Sequence, residues 1–330
     1  MAKSSSRKTL EQQIAELNEL RAQPQRADAD ALLRRALGAA RAPLAAAAAN
    51  IIGEAELNGF EPALASAFEH WMTQPAKTDP GCTAKTSIVH ALYRLGARAH
   101  ALYLRGIRCV QKEPVWGGSE DSAAQLRGLC ALALVCSGYY DALVEAAELL
   151  ADPQPGARLA AAEAIAYSER QDVGVPLLRF KARLGDSEPR VIAACFTGLL
   201  SLAPDSSLEF VASFIEAADD MNQQAAILAL GESRSAGAFA VLRRTAESSL
   251  RSESRAVAYI AIAVLRSDEA WDYLLHVVRE EPVEQAGMAL SALGHYRSLE
   301  SLGARALEAA RQRGDAVLLR RATELFAPAG

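Results

Sequence analysis

Residues 139–168 read YYDALVEAAELLADPQPGARLAAAEAIAYS, and the fold of the whole chain can be argued from them. Apolar residues return at helical spacing from Tyr139 to Leu150, an amphipathic helix. The segment Asp152-Pro-Gln-Pro-Gly156 then breaks it, because proline offers no N–H to a helix interior and clashes with the preceding turn. Ala157–Ser168 resumes as a second, alanine-rich helix. Helix, tight turn, helix within thirty residues is a helical hairpin.

Working outward, the same unit recurs. Six apolar helices end at comparable serines, Ser137, Ser168, Ser201, Ser233, Ser267 and Ser298, spaced by 31, 33, 32, 34 and 31 residues. Four positions before each stand Ala133, Ala164, Thr197, Ala229, Ala263 and Gly294. Seven before stand Cys130, Ala161, Ala194, Ala226, Ile260 and Ser291, small in all but one case. Small residues three apart share a helix face and let a neighbouring helix approach closely. Each period also holds a first helix, such as Val175–Leu184, stopped by Gly185-Asp-Ser-Glu-Pro189, where Ser187 is placed to cap and Pro189 to open the next helix. The spacing predicts an all-α, α-α superhelix of about nine hairpins, each stacked on the last. Upstream the period drifts: Gly96 ends an earlier second helix, Thr83–Leu95, but lies 41 residues before Ser137. Thr9–Ala22 carries a narrow stripe of Leu10, Ile14, Leu17 and Leu20 and reads as a terminal cap. The expected organisation is a disordered start plus capping helix over 1–26 and a helical-repeat solenoid over 27–330.

The turn and second helix Asp152-Pro-Gln-Pro-Gly-Ala-Arg158-Leu-Ala-Ala-Ala-Glu-Ala-Ile165 resemble the HEAT-like repeat of the phycobilin-lyase type. In that family an Asp in the turn and an Arg early in the second helix are typical, and Asp186 with Arg190 partly repeats the device. The later copies, Met221–Ser233 and Val283–Ser298, keep the apolar pattern and lose one or both polar residues. The resemblance covers roughly residues 27–330 and implies an architecture, not an activity, because such arrays serve many unrelated roles.

Composition agrees with that architecture. Apolar residues make up 51% of the 330-residue chain while aromatics make up 6%, so alanine and leucine, both strong helix formers, carry the burial. β-branched runs are scarce, which argues against a sheet. The formal net charge of -5 is not that of a nucleic-acid binder, although residues 1–45 hold eight Lys/Arg against five Asp/Glu. Residues 141–220 hold 14 acids against six bases, read as a solvated outer face. Five cysteines (Cys82, Cys109, Cys130, Cys136, Cys195) without a C-x-x-C pair read as small buried residues of a reduced, cytoplasmic protein. Cys130 and Cys136 point apart on one helix, which argues against a paired redox role. The polar start lacks an apolar signal segment, and the run from Pro43 to Gly53 is too short to span a bilayer.

The 41-residue interval places about nine extra residues in Glu113-Pro-Val-Trp-Gly-Gly-Ser-Glu-Asp-Ser122, read as a loop between a helix over 97–112 and the next from about 122. On that first helix Arg98, Arg105, Arg108 and Lys112 fall within about 80° on a helical wheel. A cationic stripe ending at Trp116 could receive a carboxylate, a phosphate or an acidic partner segment, so these five residues form the candidate binding site. Glu69-His70-Trp71 reads as structural, its Trp packed on the next hairpin.

No catalytic set is evident. HEAT-type di-iron hydroxylases use His-Glu dipeptides, whereas His70, His90, His100, His276 and His295 are followed by Trp, Ala, Ala, Val and Tyr. Serine-nucleophile and phosphate-loop patterns are missing as well, so neither metal nor cofactor is expected. The leading reading is a non-enzymatic scaffold or adaptor that binds another protein or peptide on its concave surface. The resemblance adds a second, a chromophore lyase attaching a tetrapyrrole to a client cysteine. A third, DNA binding as in alkyl-purine glycosylases built from HEAT-like hairpins, needs a cationic concave face and sits poorly with the net charge.

Overall fold

The structure, a computed structural model, describes residues 9–73, 75–216, 220–235 and 237–326. The segment 1–8, expected to be disordered, lies outside them. The chain divides into two compact units, Met1–Glu169 and Arg170–Gly330.

The first unit opens with α1 (Leu10–Ala22), held at its start by a reciprocal capping box: the Thr9 hydroxyl accepts from the Gln12 N–H and the Gln12 side chain accepts from the Thr9 N–H. Helices α2 (Ala29–Leu37) and α3 (Ala42–Glu54) follow, then α4 (Glu61–Trp71), the one-turn α5 (Pro75–Thr78), a 3-10 turn (Pro80–Cys82) and α6 (Thr83–Arg94). Next come α7 (His100–Ile107), strands β1 (Lys112–Val115) and β2 (Gly118–Asp121), α8 (Ala124–Cys136), α9 (Ala142–Leu149) and α10 (Pro155–Tyr167). The second unit contains α11 (Gln171–Leu184), α12 (Pro189–Leu202), α13 (Pro204–Ala212), α14 (Asp220–Ser233), α15 (Ala238–Ser248), α16 (Ser252–Val264), α17 (Asp268–Glu280), α18 (Val283–Gly294), α19 (Glu300–Arg313) and α20 (Ala316–Phe326).

Packing sorts these helices into hairpins. In the first unit α2 pairs with α3, α4 with α6, α7 with α8 and α9 with α10. In the second, α11 pairs with α12 and each later odd-numbered helix with the one that follows it. The described residues therefore hold nine hairpins, as the period predicts, with α1 laid on α2 and α3. Within each unit the second helices form the spine: α3 on α6, α6 on α8 and α8 on α10, then α12 through α14, α16 and α18 to α20. The protein is an all-α helical-repeat protein.

The recurring small residues are what the spine rests on. Cys130, Ala133, Ala161, Ala164, Ala226, Ala229 and Ala263 are all buried. The serine register slips in three places, one of them α18, which ends at Gly294, four residues before Ser298. In α12, Thr197 is exposed and the buried small positions are Cys195 and Gly198, one residue later, because that helix runs on to Leu202. Ser267 does not end α16. It caps α17, its hydroxyl accepting from the Ala270 N–H. Similarly, Ser187 does not cap α12. Asp186 accepts the Glu188 N–H at 2.8 Å and Pro189 opens the helix.

Closeness in the spine can be tested at Gly231, where an added Cβ would stand 2.6 Å from the Ala261 carbonyl oxygen and 2.8 Å from its Cα. Those atoms are backbone, so α14 and α16 must part to admit it. Alanine is favoured over glycine by about 1 kcal/mol in a helix interior, whereas forcing an extra methyl into a full interface costs about 1–3 kcal/mol. Gly231→Ala is therefore expected to lower the urea midpoint, despite the better helix former. An unchanged or higher midpoint would show that the helices are not in contact there.

Candidate functional site

The longest interval between second helices is filled by an inserted ribbon, and its geometry follows from the local residues. α7 stops at Ile107, short of the helix to residue 112 that the cationic spacing suggests. Pro114 cannot sit in a helix interior, and the ribbon pairs antiparallel with Lys112 opposite Asp121, Glu113 opposite Glu120, Pro114 opposite Ser119 and Val115 opposite Gly118. That register leaves Trp116-Gly117 as a two-residue turn, with Gly117 at φ +86°, which glycine adopts without a Cβ penalty. The segment expected to be a loop is thus a β-hairpin, and the Trp116 ring stands fully in solvent. Val115 and Val110 are also exposed.

The four cations do not form one stripe. Arg98 is exposed just ahead of α7 and Lys112 is exposed at the start of β1. Arg105, on α7, forms an ion pair with Glu69 of α4. Arg108, just past α7, reaches Glu145 of α9 at 2.6 Å. These two arginines tie neighbouring hairpins together in exposed pairs, each contributing about 0–1 kcal/mol. Trp71, beside Glu69, is buried as expected for a packing residue.

Beneath the hairpin lies a buried polar cluster that the sequence reading did not single out. Asp79 and Lys85 are both wholly buried and paired at 2.8 Å, and Asp79 also accepts the Ala84 and Lys85 N–H groups, as a carboxylate at a helix start should. Arg127 is buried between two carboxylates. Its Nη1 donates to Asp121 Oδ2 and to the Cys109 carbonyl, while Nε and Nη2 donate to the two oxygens of Asp152, all at 2.8 Å. Burial alone would push the Asp121 carboxyl up, but the Gln111 and Ala123 N–H groups and the Arg127 guanidinium hold it below the usual carboxylate range. Glu113 is lowered too, by the Ser122 hydroxyl first and then by the Gln111 amide and the Gly81 N–H. Gln111, itself buried, donates to the Asp79 carbonyl at 2.8 Å and joins the two halves of the cluster.

A signal for this cluster exists in the chain. Asp79 and Lys85, Asp121 and Arg127, and Asp152 and Arg158 are each six apart. The Asp152 carboxylate, however, serves the arginine of the preceding repeat, while Arg158 donates to the Asp152 and Pro153 carbonyls. In the second unit Asp186 pairs with Lys181 of α11 at 2.7 Å. A cation on Asp186 thus comes from the preceding helix, whereas the resemblance pointed to Arg190.

Among the described residues no group of three or more His, Cys, Asp or Glu side chains is placed to hold a metal ion, and no helix is long and apolar enough to cross a membrane. No protein-family profile matches the chain, and no curated protein matches it. Solved structures do. One is an engineered protein, 17% identical, matching over 99% of this chain and 97% of its own with a TM-score of 0.37. Another is the complex of CpcE and CpcF of phycocyanin lyase from Nostoc sp. PCC7120, 14% identical, matching over 99% of this chain and 96% of its own with a TM-score of 0.32. Both scores fall below 0.5, so neither bears on function.

Proposed function

We propose that this chain is a non-enzymatic adaptor of HEAT-like character that docks a protein or peptide, with Trp116 as the anchor and the exposed Arg98 and Lys112 as accessory cations, Arg105 and Arg108 being engaged with Glu69 and Glu145. The observation that carries the reading is the wholly exposed indole at the tip of an inserted hairpin. An isolated Trp held in water on a rigid ribbon has much apolar area to gain from a partner pocket, and Trp and Arg are the residues that most often dominate binding. The root of the ribbon is immobilised by Gln111, Glu113 and Asp121, so little ordering entropy remains to be lost on docking. A partner offering an apolar pocket rimmed by carboxylates fits this surface.

Trp116→Ala removes the anchor and nothing else, because the ring packs on no neighbour. Affinity for the native partner is expected to fall by about 30-fold or more, equivalent to about 2 kcal/mol, with the thermal midpoint unchanged. Equal affinity of the two proteins would sink the proposal. Two further measurements separate the other readings. A visible absorbance change with a linear tetrapyrrole would favour the lyase, and a low-salt gel shift with duplex DNA would favour nucleic-acid binding.

A further inference from the structure

We propose that the second unit carries a receptor cleft for the free carboxyl terminus of a partner polypeptide, taking an extended tail whose last residue is apolar and which bears a cation two residues earlier. The cleft lies on three successive second helices, α16, α18 and α20, and has a volume of about 480 Å³. Ordinary ligand sites run to about 300–1,000 Å³ and combine apolar walls with a few fixed polar groups. Here Ile260 of α16, Met288 of α18, and Val317 and Leu318 of α20 make the walls. Val317 stands exposed, as does Val283 at the start of α18, so apolar area remains to be covered.

The polar groups of the cleft carry both signs of charge and fall along one line. Glu284, Met288, Ser291 and His295 recur at steps of four, three and four residues, which sets them on one face of α18 and just past its end. Arg321 of α20 lies against that face. Its Nη2 donates to Ser291 Oγ at 2.6 Å, while the Ser291 hydroxyl donates its own proton to the Gly287 carbonyl at 3.0 Å. Arg321 Nη1 lies 3.3 Å from where a Cβ on Gly287 would stand, so the missing side chain leaves room for the guanidinium beside the helix. Arg321 is thereby held in place. Among the described residues, however, it has no carboxylate partner, and Glu284 has no cation.

A pre-positioned guanidinium without a counter-charge, set in an apolar cleft, suits a carboxylate, which its remaining N–H groups can grip in parallel. His295, one turn beyond Ser291, lines the same cleft and can donate a ring N–H to the same group. Glu284 calls for the opposite charge at the other end. Seven residues separate Glu284 from Ser291, about 10 Å along a helix that rises ~1.5 Å per residue. An extended chain covers that distance in about three residues. A tail laid along α18 thus brings its terminal carboxylate to Arg321, its last side chain to Ile260, Met288 and Leu318, and a basic side chain two positions earlier to Glu284. A simple fatty acid would satisfy Arg321 but leave Glu284 facing apolar carbon, so the charges select a peptide end. The cleft belongs wholly to the second unit, and the inference holds whether or not Trp116 docks anything.

The test uses the whole chain and a synthetic peptide, lysyl-alanyl-leucine with fluorescein on its amino terminus, followed by fluorescence anisotropy. The free-acid peptide should bind saturably, its C-terminal amide about tenfold or more weaker, and the norleucyl-alanyl-leucine acid about threefold weaker. Arg321→Gln should bring the acid down to the level of the amide, and Glu284→Gln should erase the advantage of lysine over norleucine. Both side chains are exposed, so the thermal midpoints should stay at the parent value. Should a variant nonetheless be destabilised, the comparison of acid with amide on the parent protein decides alone. Equal binding of acid and amide, a preference for the acid that survives Arg321→Gln, or no saturable binding of the acid at millimolar concentration would overturn the assignment. So would octanoate displacing the peptide at equal concentration, which would mark the cleft as a site for small amphiphilic acids.

Discussion

Arg127→Met is expected to lower stability by about 3–5 kcal/mol, because it strands two buried carboxylates that share a single cation. The guanidinium is only 3% exposed and makes four hydrogen bonds, so its removal leaves Asp121, Asp152 and the Cys109 carbonyl without a donor that water can readily replace. The loss should appear as a lower urea midpoint and as faster amide exchange in α8 and α10, the helices this residue helps to hold. Arg127→Lys keeps the charge but lacks a planar fork able to reach both carboxylates, and should fall between the two. Acid provides an internal check. Asp121 is held below its ordinary range, so its contribution is fully present above about pH 4, the unfolded value, and is lost as pH falls through the lower folded value. The gap between the parent and Arg127→Met should therefore narrow in acid, since protonated carboxyls no longer need the cation. Equal midpoints at neutral pH would mean that the buried pairings do not exist.

Lys85→Met is expected to have a comparable effect by a simpler route. Asp79 and Lys85 are both inaccessible to solvent, and methionine fills the space of the lysine stem while leaving a lone buried carboxylate. The Ala84 and Lys85 N–H groups and the Thr83 hydroxyl still donate to that carboxylate, which softens the loss but does not remove it. A loss of about 3 kcal/mol is expected. Combining it with Asp79→Asn, which removes the charge and retains an acceptor, should recover much of the deficit, because replacing both members of a buried pair costs far less than removing one. The double-mutant cycle measures this directly, and additive losses would show that the two residues are not coupled.

How much of this was legible beforehand differs from element to element. The hairpins were, since alanine and leucine at helical spacing, punctuated by Gly-Asp-Ser-Glu-Pro or Asp-Pro-Gln-Pro-Gly, leave little else for the chain to do. The register of the stack was readable where helices end on schedule and failed at Thr197, where α12 runs one residue longer and turns that position outward. The β-hairpin was hidden because its strands are only four residues long and largely polar, so burial imposes no alternation on them. Even so, Gly117 in Trp116-Gly117 carries the signal of a two-residue turn. Breaking the helix at Ile107 is what dissolved the supposed cationic stripe. The Asp-to-cation spacing of six was present in the chain at residues 79, 121 and 152 and does mark the Asp79–Lys85 and Asp121–Arg127 pairs, but the reach of Asp152 back to Arg127 depends on the neighbouring hairpin and cannot be read locally.

That exchange of partners across repeats has a further consequence. Because the Asp152 carboxylate completes the arginine of the hairpin before it, the hairpins of the first unit are not interchangeable modules. A truncation ending near residue 150 would leave a guanidinium half-served in the interior, and excising or duplicating one period would mismatch donors with acceptors at the new seam. Safe boundaries for cutting, swapping or lengthening this array therefore lie after the receiving carboxylate, not in the preceding turn where the helices visibly end.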